Sequence, residues 1–358
     1  MRQRMRVWAW VMAGAASTGA IAPAAKRLRR SMDWSFPVLV LCAKLGEERA
    51  FLQSPDAEGN DEHMERVGFI GLGNMGRGMA SNLRRKQFPL TVFDLNPAPV
   101  AALQDLGAES ADDVAALARH SHIVVTMLPG PKEVMATAEQ LLAKMAPGSI
   151  LMDSSTVDPE TTDALARAAA ARGVGFVDAP VGRLAAHAAR GESLFMVGAS
   201  DADFARVKPL LEAMGTTVHH CGGPGAGTRT KLVNNYLAII LCQLNAEALS
   251  LATAFGLDLE KTLEVLHGTT ATNGQLKVNW PDKVLKGDTA PGFAIDLAHK
   301  DLSLIVQAAN AARVPLPVAA VAREAFSMAR AQGFGGNDFS AILDAQCKLA
   351  GLKPPRLK

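Results

Sequence analysis

From Val67 onward, short apolar runs alternate with helical patterns, and this alternation restricts the fold more than any other feature of the chain. Runs at residues 67–70, 90–93, 123–127, 150–152, 175–177 and 194–197 are strand candidates. Strands that are apolar along their whole length need cover on both faces, and strand–helix repetition supplies it as a doubly wound parallel sheet. The pattern changes after Gly227. Residues 228–255 form an apolar-periodic stretch without Pro or Gly, closed by Gly256, and helical segments continue to the C-terminus without a convincing strand. The expectation is an α/β domain over residues 64–227, an all-α domain over 228–358, and a cleft between them. The glycine-rich run 221–227 marks the junction as a turn before a long helix.

Residues 1–63 do not share this pattern. Seven basic residues precede the first acid, Asp33, and residues 7–22 are apolar and small. That resembles an export signal or an organellar transit peptide, while Met64, just before the first strand run, equally suits an N-terminal extension without a structural role. The apolar run is shorter than the roughly 20 residues of a membrane span, so no membrane partner is expected. The net charge of +2 carries no basic stripe, which argues against a nucleic-acid partner. Cys42, Cys221, Cys242 and Cys347 form no C-x-x-C pair, so four free thiols and a cytoplasmic location are expected, with targeting left open by residues 1–63. No histidine falls in a metal-ligand spacing, and no metal is implied.

Gly71-Leu72-Gly73-Asn74-Met75-Gly76 is G-x-G-x-x-G placed directly after a strand and at the opening of a helical pattern. Such glycines permit a tight turn and let backbone approach a pyrophosphate, while the helix N-terminus offers free N–H groups. Asp94 ends the second strand 18 residues past Gly76, where its carboxylate can accept from the adenosine ribose hydroxyls. It would repel a 2′-phosphate, and neither Leu95 nor Asn96 is an Arg to bind one. NAD is therefore favoured over NADP, on an α/β Rossmann domain. Leu128 and Pro129, and likewise Thr156, follow strands at their carboxyl ends, the edge where open parallel sheets bind ligands. Each of these turns is also explained as an ordinary strand-to-helix turn, with Thr156 or Asp158 as a cap before Pro159.

Lys231, Asn234, Asn235 and Ala238 stand at i, i+3, i+4 and i+7 of the long helix, on one face. A cation and two amides on an apolar helix at a domain junction need a polar ligand or water. When a carbonyl carbon accepts hydride, its oxygen develops negative charge that a Lys ammonium can stabilise and protonate. Spacing alone serves a water-facing helix equally well. Gly182 and Arg183 follow an apolar run, so that Gly182 lets backbone N–H groups approach a ligand and the Arg183 guanidinium can pair with a carboxylate, sulfonate or phosphate. Lys300 could reach across the cleft toward the nicotinamide, or form a local surface pair with Asp301.

Four ordered motifs carry a resemblance: Gly71 to Gly76 with Met79-Ala80-Ser81-Asn82-Leu83, Asp178-Ala179-Pro180-Val181, Gly227-x-x-x-Lys231-x-x-Asn234-Asn235, and Asp296-x-x-x-Lys300-Asp301. Together they resemble the β-hydroxyacid dehydrogenase family over essentially all of residues 64–358. The resemblance implies a Rossmann domain, an all-α C-terminal domain, Lys231 as catalytic residue with Asn235, and a homodimer or homotetramer with helical contacts. Gly182-Arg183-Leu184 replaces the Ser-Gly-Gly of many members and is similar to the NAD-dependent 3-sulfolactaldehyde reductase branch, where Arg183, Asn234 and Asn235 would hold the substrate anion. Leu184 and Ala238 stand where that branch implies hydroxyl side chains, which brings carboxylate semialdehydes into competition. 3-Hydroxyisobutyrate dehydrogenase and tartronate semialdehyde reductase activities are the alternatives within the family. An NAD-sensing Rossmann protein is the non-enzymatic one.

Overall fold

The computed structural model describes residues 64–358. The expectations for residues 1–63, and for Cys42, lie outside the described residues. Cys221, Cys242 and Cys347 are free thiols.

Nine strands form one sheet. β1 (Val67–Ile70), β2 (Leu90–Phe93), β3 (Glu109–Ser110), β4 (Ile123–Thr126), β5 (Ile150–Asp153) and β6 (Gly175–Asp178) lie in the order β3-β2-β1-β4-β5-β6, all parallel. The order reverses between β1 and β4, which opens a crevice at the carboxyl ends of these strands. Alternation along each strand divides the core into two layers. Val67, Phe69, Ile123, Val125, Ile150 and Met152 face one layer of helices, and Ile70, Val124, Leu151 and Phe176 the other. Helices α1 (Asn74–Arg85), α2 (Pro97–Gln104), α3 (Val114–His120), α4 (Pro131–Leu142) and α5 (Pro159–Ala170) join the parallel strands. Asn96, Asp113 and Asp158 cap α2, α3 and α5 with their side chains, so at α5 the cap is Asp158 rather than Thr156.

The sheet departs from the all-parallel expectation beyond β6. β8 (Ser193–Gly198) runs antiparallel to β6 and to β7 (Val181–Gly182). Only β7 and the short α6 (Ala185–Ala189) separate β6 from β8, too little chain for a covering crossover helix, so the strand returns antiparallel. After α7 (Asp201–Met214) the chain crosses over to β9 (Gly215–Gly222), parallel to β8. β3 and β7 are too short to show periodicity, and β9 is a largely polar edge strand.

Helix α8 (Ala226–Ala254) has 29 residues, about 44 Å at 1.5 Å per residue. Its N-terminus lacks a side-chain cap of its own because Gly225 stands there at φ 92°. Asp178, at the end of β6, supplies the cap: the Gly225 and Thr228 N–H groups each donate to its carboxylate at 2.6 Å. A Cβ on Gly227 would run into the Met196 carbonyl oxygen, so glycine is what allows the helix to seat directly on the sheet edge. α8 is also the one described helix long and apolar enough by composition to cross a bilayer. Here it is the central helix of the C-terminal domain. α9 (Leu259–His267), α10 (Ile295–Ala311), α11 (Pro317–Ala331) and α12 (Ile342–Leu349) pack with it around fully buried Trp280 and Phe326.

Candidate active site

The Gly71 to Gly76 turn links β1 to α1 as the motif requires. Gly71 has φ 94°, and a Cβ there would meet the Met127 carbonyl, while one on Gly76 would meet the Gly71 carbonyl. Gly73 has open space where its Cβ would be, and α1 begins with no side chain bonded to its free amides. Close packing below and open backbone N–H groups above suit the pyrophosphate of a dinucleotide. Asn74 and Met75 lie in the first turn of α1, next to those amides. Asp94 stands beside the turn, accepting from Leu72 N–H at 2.6 Å and Asn96 N–H at 2.7 Å.

The other carboxyl-end loops are tied together by buried polar groups. Asp153 accepts hydrogen bonds from the Thr126 hydroxyl at 2.7 Å and the Ser155 hydroxyl at 2.6 Å, and the Leu128 N–H donates to the Ser155 hydroxyl oxygen at 2.9 Å. Burial pushes the Asp153 carboxyl up from the ordinary range against these bonds. Lys300, from α10, donates to the Thr156 carbonyl at 2.8 Å and to that of Pro129 at 3.3 Å. It thereby fastens the C-terminal domain across the loops that follow β4 and β5.

Lys231 is buried at 9% exposure, and its ammonium donates to the Val181 carbonyl at 2.6 Å. Burial lowers its pKa to about 8; the Asp301 carboxylate acts against the shift and the Lys300 charge with it. Asn235, one turn further along α8, donates to Asp301 Oδ2 at 2.7 Å and accepts from Asn234 at 3.0 Å. Asp301 Oδ1 lies 3.0 Å from Lys300 Nζ. Asn235, Asp301 and Lys300 therefore form one bonded chain, and Lys231 stands one turn before Asn235 on α8, bonded to the sheet edge at Val181 and within the field of Asp301 and Lys300.

Asp301 closes the Asp296-x-x-x-Lys300-Asp301 motif, where sequence suggests for it only a local pair with Lys300. A surface pair with Lys300 does not describe it, because Asp301 is only 1% exposed. Its signal lies in its position, since it falls among Ile295, Ala298, Leu302 and Ile305 on the inward face of α10. Gly182 is buried on β7 immediately after Val181, so its backbone reaches this group. The Arg183 side chain is placed differently. It has φ 70°, an uncommon conformation for a residue with a Cβ, and its guanidinium donates to the Glu192 carbonyl at 2.6 Å and to the hydroxyls of Thr216 and Thr217 at 2.9 and 3.2 Å. The structure thus places Arg183 two residues past Val181 and ties its cationic head to β9 and the Glu192 carbonyl.

A Gly-rich turn with open amides after β1 and a buried Lys and Asn at the far edge of the sheet fit what the comparisons show, a nicotinamide-dependent oxidoreductase acting on a CH–OH group. Residues 66–223 match the model of the NAD binding domain of 6-phosphogluconate dehydrogenase, and residues 225–346 match that described as the NAD-binding domain of NADP-dependent 3-hydroxyisobutyrate dehydrogenase. The chain belongs to the β-hydroxyacid dehydrogenase family. It is 41% identical over 292 residues to the 3-sulfolactaldehyde reductase of Escherichia coli, covering 81% of this chain and 98% of that protein. It is 38% identical over 290 residues to the 3-hydroxyisobutyrate dehydrogenase of Pseudomonas aeruginosa, covering 78% and 97%. The solved structure of Mycobacterium tuberculosis 3-hydroxyisobutyrate dehydrogenase with L-serine superposes with a TM-score of 0.73 at 29% identity, covering 78% of this chain and 98% of that one.

Proposed function

We propose that this enzyme uses NAD(H) to interconvert a short anionic aldehyde, 3-sulfolactaldehyde or a carboxylate semialdehyde, with its hydroxy acid. The observation that carries the reading is the buried Lys231, held by the Val181 carbonyl beside the Asn235–Asp301 pair. When bound, the nicotinamide would supply the hydride for reduction and take it in oxidation. Lys231 gives a proton to the alkoxide oxygen in reduction and takes it back in oxidation, and a pKa of about 8 leaves both forms accessible near neutral pH. Asp301 fixes the Asn235 carboxamide, which orients the reacting oxygen against Lys231. Lys300 holds together the loops carrying Leu128, Pro129 and Thr156, which would receive the nicotinamide end, while Gly71, Gly73, Asn74, Met75 and Gly76 would hold the pyrophosphate and Asp94 the adenosine ribose. The backbone at Gly182 and Arg183, with Asn234, receives the substrate anion. For the Arg183 guanidinium to join them, it must release Thr216 and Thr217.

Leu184 and Ala238 favour a carboxylate semialdehyde as the second reading, because two hydroxyl donors are absent from the anion end. The test is NADH oxidation with 3-sulfolactaldehyde, succinic semialdehyde, methylmalonate semialdehyde and tartronate semialdehyde. Preference for the sulfonate means that Leu184 and Ala238 are tolerated in a sulfonate pocket; preference for a carboxylate means that they report a changed specificity. Failure with all four contradicts the reading.

The same protein is proposed to assemble as a homodimer or homotetramer through α8. Val233, Leu237, Leu244 and Leu251 are exposed along one stripe of that helix, with the last three in heptad spacing suited to self-packing. Light scattering should give a mass of two or four chains, and Leu244→Asp should lower it. A monomeric wild-type protein contradicts this assembly.

A further inference from the structure

Beside the Gly-rich turn lies a recess of about 280 Å³, bounded by Arg77 on α1 and by Asn96, Ala98 and Pro99 at the head of α2. No acidic side chain lines it. It adjoins Leu72 and Gly73, beside Asp94, and so on the proposed reading of the turn it would receive the adenosine end of the dinucleotide.

Among the arginines of α1, Arg84 donates to the Gly107 carbonyl at 2.9 Å and Arg85 to the Asn82 side chain at 3.3 Å. The Arg77 guanidinium has no hydrogen-bond or ion-pair partner among the described residues; only its backbone N–H is bonded, to the Gly73 carbonyl. A guanidinium free of partners at the wall of an acid-free recess is suited to a phosphate, which its planar fork can grip through two N–H groups. The positive end of α2 adds to the same potential. Asp94 opposes it less than its sequence position suggests. Its side chain does not line the recess, and its two carboxylate oxygens, at the recess edge, are each taken up by a backbone N–H, from Leu72 and Asn96.

We propose that Arg77 is the contact for an adenosine 2′-phosphate, so that the site binds NADPH as well as NADH, with Asp94 and Arg77 together setting the ratio. The cation missing after Asp94 is supplied instead by the first turn of α1.

The inference rests on the dinucleotide reading of the cradle, and direct binding tests it without substrate. Fluorescence titration of NADH and NADPH should show both binding to the wild-type protein. Arg77→Ala should weaken NADPH by about tenfold or more, the scale of a lost hydrogen bond to a charged group, and change NADH by less than about threefold. Arg77→Lys should retain part of the NADPH affinity. Adenosine 2′,5′-bisphosphate should lose affinity in Arg77→Ala, whereas 5′-AMP should not. Equal weakening of both dinucleotides would place Arg77 on the pyrophosphate and overturn the proposal, as would unchanged NADPH affinity or a wild-type protein that binds NADH alone. A wild-type protein binding neither would overturn the cofactor reading along with it.

Discussion

The turn proposed to cradle the dinucleotide and the group proposed to be catalytic are assembled in opposite ways. The cradle is nearly contiguous, with Leu72 and Asp94 in direct contact across only 22 residues of sequence. The group around Lys231 is gathered from afar: Lys231 meets Val181 across 50 residues, and Asn235 meets Asp301 across 66. A local motif displays its whole geometry in its spacing. A group assembled by domain packing shows only its separate pieces, and which pieces meet is decided by how α8 seats on β6 to β8 and how α10 closes on it. The two halves should therefore fail independently when they are altered.

The largest effect is expected from Lys231→Ala. Turnover should fall about 10³-fold, within the range a positioned general acid contributes, with NADH affinity unchanged within about threefold. Stopped-flow rates and NADH titration on the same preparation check this. An NADH affinity that fell in proportion to turnover would mean that cradle and catalytic group act as one unit.

A smaller and opposite pattern is expected from Asp94→Ser. Removing the carboxylate beside the turn should raise NADPH use relative to NADH several-fold, with turnover at saturating cofactor nearly unchanged. Steady-state kinetics with each cofactor measures it. An unaltered ratio would mean that Asp94 serves only as a brace for Leu72 and Asn96.

The same contrast governs how much of the molecule is legible in its sequence. The alternating apolar runs mark six of the nine strands, and the break after Gly227 marks the change to helices. Gly71, Gly76 and Asp94 can be placed from spacing because a tight turn and an adjacent strand end dictate local geometry. The antiparallel return of β8 cannot be read, since β7 is two residues long and carries no period. Asp178 stands in sequence beside the Gly182-Arg183 loop, yet its carboxylate caps α8 from 47 residues away. Asp301 resembles half of a surface pair in sequence, because a charge buried against a helix 66 residues away has no local signature beyond its place in an apolar stripe. Arg183 shows the same limit from the other side: its residue type suits an anion, but the structure commits its head to Glu192, Thr216 and Thr217.

The central claim is that buried Lys231, tuned by Asp301, moves the proton. The most direct test is the pH dependence of kcat/KM for aldehyde reduction and for alcohol oxidation, in the wild type and in Asp301→Asn. Reduction needs the ammonium and should decline as pH rises through about 8, while oxidation needs the free amine and should increase through the same pH. The Asp301 carboxylate raises the Lys231 pKa, so Asp301→Asn should move both limbs to lower pH. Limbs absent between pH 7 and 9 (about one unit either side of 8), or limbs that Asp301→Asn leaves in place, would contradict the account.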